Sequence, residues 1–186
     1  DLSAFYFDIR KDCLYCDSFQ SEKRKSVIRF LNIILDSLLK WFAPILSFTT
    51  EEIFRLIYNN KKSIHLEKFV QFPEKIKNDK LNKKWIQLIK IRDVCNLSIE
   101  QKRAEKVIGS SLEASINIKL DKKNLEIVKD IDFSELCITS EANLELIDNS
   151  NLEVVTKKAE GNKCSVCWKI KPESCDRHGC GLTDVK

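Results

Sequence analysis

The most constraining feature of the sequence is a group of cysteines within its last two dozen residues. Cys164 and Cys167 are separated by two residues, a spacing that directs two sulfur atoms at one ion and recurs in tetrahedral zinc sites. The segment around them contains glycines but almost no apolar residues, so burial alone can hardly order it. Zinc ligation would supply folding free energy on the order of 10 kcal/mol. The spacing therefore predicts a structural zinc site.

A tetrahedral site needs a second pair of ligands, and three candidates follow within thirteen residues of Cys167. We predict Cys175 and Cys180 as the closing pair, although their separation is wider than the usual two residues. His178 lies between them and could replace either one.

Three alternative cysteine chemistries are less well supported. A disulfide framework requires an oxidising compartment, and the chain has no apolar signal segment. A thioredoxin-like pair would lie between a strand and a helix of a βαβ unit, and this CxxC does not. Cys13 and Cys16 form a second CxxC that could complete the metal site, but Cys13 continues an apolar helical stripe, which is typical of a buried thiol.

Composition sets the class of protein. With 186 residues and 43% apolar content, the chain can form one sizeable domain or two small ones around a real core. It contains no methionine, so we expect it to be a piece of a longer protein. No run approaches the ~18 to 20 apolar residues of a membrane span, which predicts a soluble, cytoplasmic chain without a membrane partner.

Charge is unevenly distributed along the chain. Residues 1–110 contain 21 Lys and Arg against 14 Asp and Glu, residues 111–160 contain 6 against 11, and the remainder contains 5 against 3. The two basic ends would attract a polyanion such as RNA, and the acidic middle would not. A solvated lysine-rich surface would give the same composition.

Apolar spacing predicts three amphipathic helices at the start of the chain. The first has its stripe on Leu2, Phe5, Ile9 and Cys13, and the second runs from about Val27 to Pro44, which closes or kinks it. Thr49 and Glu52 have the spacing of a capping box that would open the third. Short links between such helices favour an antiparallel bundle.

The spacing of the apolar residues changes in the second half of the chain. A helix from Leu81 ends in the charged run 100–106, and strict alternation over 112–120 predicts a half-buried strand. We expect further strands at 136–138, 144–147 and 152–155, with a short helix near 125–131. The predicted fold is mainly α with a small α+β module. It has a helical bundle at 1–79, a helix-plus-sheet junction domain at 80–160 and a zinc-binding tail at 161–186.

The sequence carries no recognisable catalytic motif. It has no phosphate-binding glycine loop, no HExxH and no paired-carboxylate pattern, and it has only two histidines for acid and base chemistry at neutral pH. We therefore expect this chain to bind a partner and not to catalyse a reaction.

Four stretches, in the right order and spread over essentially the whole chain, resemble bacterial isoleucyl-tRNA synthetases. Asp1–Asp17 resembles the entry to the anticodon-binding bundle, and Trp41–Ile53 resembles its next helices. Lys102–Ala114 is similar to the junction between helix and sheet. Lys163–Trp168 is similar to the C-terminal zinc module, which valyl and leucyl relatives of the bundle do not share. Cys13 and Val166 stand where the family usually has arginine.

The resemblance implies the C-terminal part of an isoleucine–tRNA ligase. The full enzyme activates isoleucine with ATP and transfers it to its tRNA, and its catalytic and editing domains would lie upstream of Asp1. This part would bind the anticodon arm of isoleucine tRNA as a monomer, would not bind DNA, and would be inactive alone. A standalone RNA-binding module and a zinc-stapled protein-interaction domain are the alternatives.

On this interpretation, specific side chains would contact the RNA. Arg10, Lys11, Arg24 and Lys25 are candidates for contacting anticodon-stem phosphates, although each could be a solvated charge. Trp168 would stack on anticodon-loop bases, because single-stranded bases can be splayed out onto aromatic rings. Its alternative role is an apolar cover over the metal cysteines.

Overall fold

The computed structural model describes residues 2–59, 62–148, 151–173 and 175, and the chain divides into two compact units. Asp1–Ser18 and Asn78–Lys186 form the sheet unit, and Phe19–Lys77 form the helical unit. The division into three parts that we predicted from sequence stays a prediction. The predicted helix-rich chain with a small sheet is confirmed. Within the described residues, no helix is both long and apolar enough to span a membrane.

The first half of the described chain is helical, and the strands of the described residues all lie in the second half. Leu2–Phe7 is a π-helical segment that leads into the first α-helix. The elements that follow are α1 (Asp8–Cys16), α2 (Glu22–Phe42), α3 (Ser47–Tyr58), α4 (Asp79–Ala104), β1 (Ala114–Leu120), α5 (Lys122–Val128), α6 (Phe133–Leu136), β2 (Glu141–Leu146), β3 (Glu153–Lys158), β4 (Asn162–Lys163) and β5 (Ile170–Lys171).

The helical unit is built on α2 and α3. Helix α2 begins where the Ser21 hydroxyl accepts a hydrogen bond from the Arg24 amide, and it ends at Phe42, two residues before Pro44, as predicted. Its core is small and consists of Leu39, Ala43, Phe54 and Ile64.

Helix α3 begins earlier than the sequence predicted. It starts at Ser47, and the Thr50 amide already donates to the Leu46 carbonyl at 2.9 Å. Thr49 therefore lies inside the first turn, and the predicted capping box with Glu52 is wrong. The helix has no side-chain cap at its start, where Leu46 occupies the N-cap position with φ of −111° and ψ of 52°.

The sheet unit is organised around β1, the central strand of the order β2–β1–β3. Strand β1 is parallel to β2 and antiparallel to β3. The predicted alternation is confirmed, because Ala114, Ile116, Ile118 and Leu120 are fully buried while the intervening residues are partly exposed. The strand starts at Ala114 and not at Leu112, because Ser111–Glu113 form a 3-10 turn.

Helix α4 provides the apolar face that covers this sheet. Its buried residues Leu88, Ile91, Cys95 and Ile99 follow helical spacing and join the same core as β1. Ile9 of α1 also belongs to this core, so the first helix clusters with the sheet unit and not with α2 and α3.

The predicted strand at 136–138 is wrong. The Asp132 carboxylate accepts hydrogen bonds from the Ser134 and Glu135 amides and caps α6, whose Phe133 and Leu136 are buried one turn apart. A short apolar run does not distinguish a strand from a buried helical turn. The strands predicted at 144–147 and 152–155 are confirmed as β2 and β3.

The helical unit exposes several large apolar side chains. Phe48 of α3 is 92% exposed, and Leu56 on the same helix and Leu66 are each 78% exposed. Single exposed apolar residues are ordinary, but several of them beside so small a core leave much of the apolar area of this unit in contact with water.

Two phenylalanines of α3 provide a matched test of this unit. We expect Phe54→Ala to lower its free energy of unfolding by about 3 kcal/mol, because a buried ring is lost from a small core. Phe48→Ala should change it by less than about 0.5 kcal/mol, because that ring contacts mainly solvent. Denaturant unfolding monitored by circular dichroism measures both, and equal effects would contradict the assignment of the core.

Candidate metal centre and nucleic-acid interface

A short hairpin holds the first two predicted metal ligands. Strand β4 pairs with β5 in antiparallel fashion. In the connecting turn, the Cys164 amide donates to the Lys169 carbonyl at 2.9 Å, and the Trp168 amide donates to the Cys164 carbonyl at 3.0 Å. These two bonds fold the turn so that Cys164 and Cys167 face the same side.

The structure brings Cys175 to the same place. The sulfur atoms of Cys164, Cys167 and Cys175 all lie within 4.8 Å of one another, and the last two are 3.9 Å apart. Metal–sulfur bonds of about 2.3 Å in a tetrahedron require sulfurs about 3.8 Å apart, so the three thiols fit a tetrahedral ion. The predicted Cys180, and His178 as its alternative, lie outside the described residues.

The electrostatics of the cluster follow from its burial. Burial raises the pKa of the Cys167 thiol to about 12, and the neighbouring Cys164 and Cys175 thiols add to the rise. The Lys169 amide opposes this effect by hydrogen bonding to the sulfur. The Val166 amide lies 3.4 Å from the Cys164 sulfur, so backbone dipoles favour negative charge in this turn. A bound cation would supply the remaining stabilisation of thiolates and would displace their protons.

The hairpin is fixed to the sheet by residues that the sequence did not single out. Ser140, which precedes β2, accepts a hydrogen bond from the Ile170 amide at 2.6 Å and donates one to the Leu112 carbonyl. Gly161 has φ of 120°, and a Cβ there would lie 2.2 Å from the Lys171 carbonyl oxygen. Only glycine fits this position. A glycine just before the hairpin was the sequence signal that could have indicated this close approach of the backbone.

Trp168 projects from the turn that carries Cys164 and Cys167. Its side chain is 60% exposed, which leaves the indole accessible to a nucleotide. Its backbone has φ of 61°, in the left-handed region that disfavours residues with a Cβ. The turn therefore holds an exposed aromatic ring at a strained position beside the cysteine cluster.

The predicted basic residues near the start of the chain lie in the sheet unit. The Arg10 guanidinium forms an ion pair with Glu135 at 2.6 Å and lies 5.8 Å from the centre of the Tyr6 ring. Lys11 is more exposed and forms an ion pair with Asp8 at 3.3 Å. The contacts of Arg10 with Glu135 and Tyr6 therefore contribute to the packing of the sheet unit, whereas the ion pair of Lys11 lies at the surface.

The other two predicted basic residues lie in the helical unit. The Arg24 guanidinium stacks on Phe19 at 4.2 Å, and its buried Nε has no hydrogen-bond partner among the described residues. Lys25 forms an ion pair with Glu22 at 2.9 Å. The structure thus brings Arg10 together with Lys11 on α1, and Arg24 together with Lys25 on α2.

Comparison with known proteins gives a consistent result. The anticodon-binding domain of tRNA ligase, as a family model, matches residues 1–118. The isoleucine–tRNA ligase of Pelagibacter ubique is 63% identical over 178 residues, which are 96% of this chain and 20% of that protein. Isoleucine–tRNA ligases of Bradyrhizobium diazoefficiens and Zymomonas mobilis are 43% and 38% identical over 91% and 93% of this chain.

These matches cover only part of each relative. The chain spans about a fifth of the length of the curated ligases that it matches. The match to the Pelagibacter ubique ligase includes the cysteine hairpin as well as the helices, because it covers 96% of this chain.

The geometry of the three thiols predicts how the chain binds a metal. Cobalt(II), a spectroscopic substitute for zinc, should show thiolate charge-transfer absorption, because sulfur ligands would coordinate it. Cys164→Ser should reduce this absorption and weaken binding by at least about tenfold. Cys16→Ser is the matched control, because Cys16 is buried and lies outside the cluster. A loss of absorption in the control and not in Cys164→Ser would contradict the site.

Proposed function

This chain belongs to the family of anticodon-binding domains of tRNA ligases, and on that premise we propose that it is the C-terminal, tRNA-binding part of an isoleucine–tRNA ligase. The observation that carries the proposal is the 63% identity with an isoleucine–tRNA ligase over 96% of this chain. The cysteine hairpin with its exposed Trp168 supports it, because this hairpin offers an aromatic surface to a nucleic acid.

The activity of the whole ligase would require more polypeptide than this chain spans. Activation of isoleucine with ATP and transfer to tRNA are assigned to the four-fifths of the relatives that the chain does not cover. The present chain is accordingly expected to bind tRNA without forming aminoacyl-tRNA. We assign it to the cytoplasm as part of a monomeric enzyme, with neither membrane nor DNA as a partner.

The exposed apolar surface of the helical unit supports a longer protein. Phe48, Leu56 and Leu66 would be costly to keep in water, at about 25 cal/mol for each Å² of apolar area left uncovered. The remaining ligase polypeptide is the occupant that the proposal assigns to this surface.

Zinc is the metal that best fits the proposed hairpin. Soft thiolate ligands select zinc over magnesium or calcium, and a site formed only by protein side chains would be structural. Cys164, Cys167 and Cys175 would hold the ion, and we retain Cys180 as the fourth ligand, with His178 as the alternative. The ion would fix the turn that carries Trp168.

RNA contacts are assigned in two groups. Arg10, Lys11, Arg24 and Lys25 would contact phosphates of the anticodon stem, and Trp168 would stack on an anticodon-loop base. Among the four, Arg24 lies over the Phe19 ring with its guanidinium carbon 4.2 Å from the ring centre, and its buried Nε would not itself reach a phosphate. Residues 1–79, 80–160 and 161–186 remain our proposed functional division.

Binding to isoleucine tRNA at increasing salt tests the proposal directly. We expect log K to fall linearly with log salt, with a slope of about −0.7 to −0.9 for each neutralised phosphate. A transcript with an exchanged anticodon is the control and should bind more weakly. Salt-independent binding would favour a protein-interaction domain, and equal binding of both transcripts would favour a general RNA-binding module.

Substitutions of Trp168 separate its two proposed roles. Trp168→Gly should relieve about 1 kcal/mol of backbone strain at positive φ, and it should retain zinc. Its affinity for isoleucine tRNA should fall by about 1 to 3 kcal/mol, the value of a lost base stack, while Trp168→Phe should retain most of it. Unchanged tRNA affinity with reduced zinc content, measured by metal analysis, would instead identify Trp168 as a cover over the cysteines.

A further inference from the structure

A group of lysines lies along a groove between α4 and α5 in the sheet unit. Lys80, Lys83 and Lys84, here called the α4 lysine group, line this groove, which has a volume of about 650 Å³. Its other lining residues are Asn78, Leu81, Gln87, Glu126 and Ile127. None of the four basic residues assigned to RNA contacts lines the groove.

The helix places the three lysines together on one side. Positions 80, 83 and 84 are spaced by three and four residues, so their side chains are neighbours on the helix surface. Lys80 and Lys84 also continue the stripe of the core residue Leu88 at four-residue intervals. The first turns of α4 contain no buried residue, so charge replaces apolar contact along that stripe.

The lack of carboxylate partners distinguishes the α4 lysine group from most basic residues on the helices. Farther along α4, Lys102 and Arg103 form ion pairs with Glu105 and Glu100 at 2.6 and 2.7 Å. In α2, Lys40 likewise pairs with Asp36, four residues away, at 2.9 Å. The α4 lysine group forms no ion pair with any residue in the described part of the chain.

This arrangement costs helix stability. Like charges four residues apart, as at Lys80 and Lys84, repel each other and destabilise a helix. The groove's own carboxylate does not relieve them, because Glu126 is paired with Lys129 at 2.8 Å. Three lysines therefore line one groove without an ion-pair partner among the described residues, and this local excess of positive charge favours an anionic ligand.

We propose that the α4 lysine group is an additional contact surface for the phosphate backbone of tRNA. The inference rests on the proposed function and extends it from the predicted residues to a separate part of the sheet unit. Lysine ammonium groups act as point charges towards phosphates, so this surface contributes affinity and registration without reading sequence. A nucleic-acid backbone presents charges in series, which matches a row of three lysines better than a single small anion does.

The test uses the 186-residue chain with Lys80→Gln and Lys83→Gln combined. Both lysines are exposed, and glutamine retains helix propensity, so folding should be unchanged by circular dichroism. The slope of log K against log salt for isoleucine tRNA should become shallower by about 1 for each lysine removed. The affinity loss should be the same for the transcript with an exchanged anticodon, because backbone contacts are independent of sequence.

The matched control is Lys102→Gln combined with Arg103→Gln. It removes the same charge, but from basic residues that are paired with Glu105 and Glu100. Its salt slope should stay close to that of the unmodified chain. Equal slopes for the Lys80 and Lys83 variant and the unmodified chain would overturn the inference, as would an equal reduction in the control. Failure of the unmodified chain itself to bind tRNA would instead refute the proposed function.

Discussion

The sheet unit depends on the burial of one face of β1 beneath α4. Four alternating side chains of this strand are inaccessible to water, and the helix supplies Leu88, Ile91, Cys95 and Ile99 opposite them. On the outer face, Ser115, Asn117 and Lys119 bond to glutamates of the flanking strands. One face thus supplies apolar burial while the other fixes the neighbours of β1 and their register.

The cysteine hairpin is connected to this core by a short series of hydrogen bonds. The Ser140 amide donates to the carbonyl of buried Ala114, and the Ser140 hydroxyl accepts from the amide of Ile170 in β5. A residue at the edge of the core therefore holds the strand that follows the cysteine turn. The sheet sets the position of the hairpin, and ligation would set the shape of its turn. The exposed indole of Trp168 depends on both.

Prediction from sequence succeeded where a periodic pattern extended over many residues. The alternation in β1 and the apolar stripe of α4 were both visible, because burial on one face leaves a regular signal. Local signals gave wrong predictions at two places. At Thr49 the helix starts earlier than the capping pattern indicated, and at 136–138 the apolar run belongs to a buried helical turn and not to a strand. The CxxC spacing indicated that the Cys164 and Cys167 sulfurs lie close together, but the role of Ser140 depends on a contact 30 residues away that leaves no local pattern.

The helical unit differs from the sheet unit in that it has few buried apolar residues and several exposed ones. Two helices bury Phe54 and Leu39 but leave Phe48 and Leu56 in contact with water. Folding of such a unit must offset about 1 to 2 kcal/mol of backbone entropy for each ordered residue, and a core this small supplies little beyond that. Charged side chains would be expected at those positions if water were their permanent environment. Apolar side chains at those positions instead leave the helical unit with a surface that is costly to keep in water.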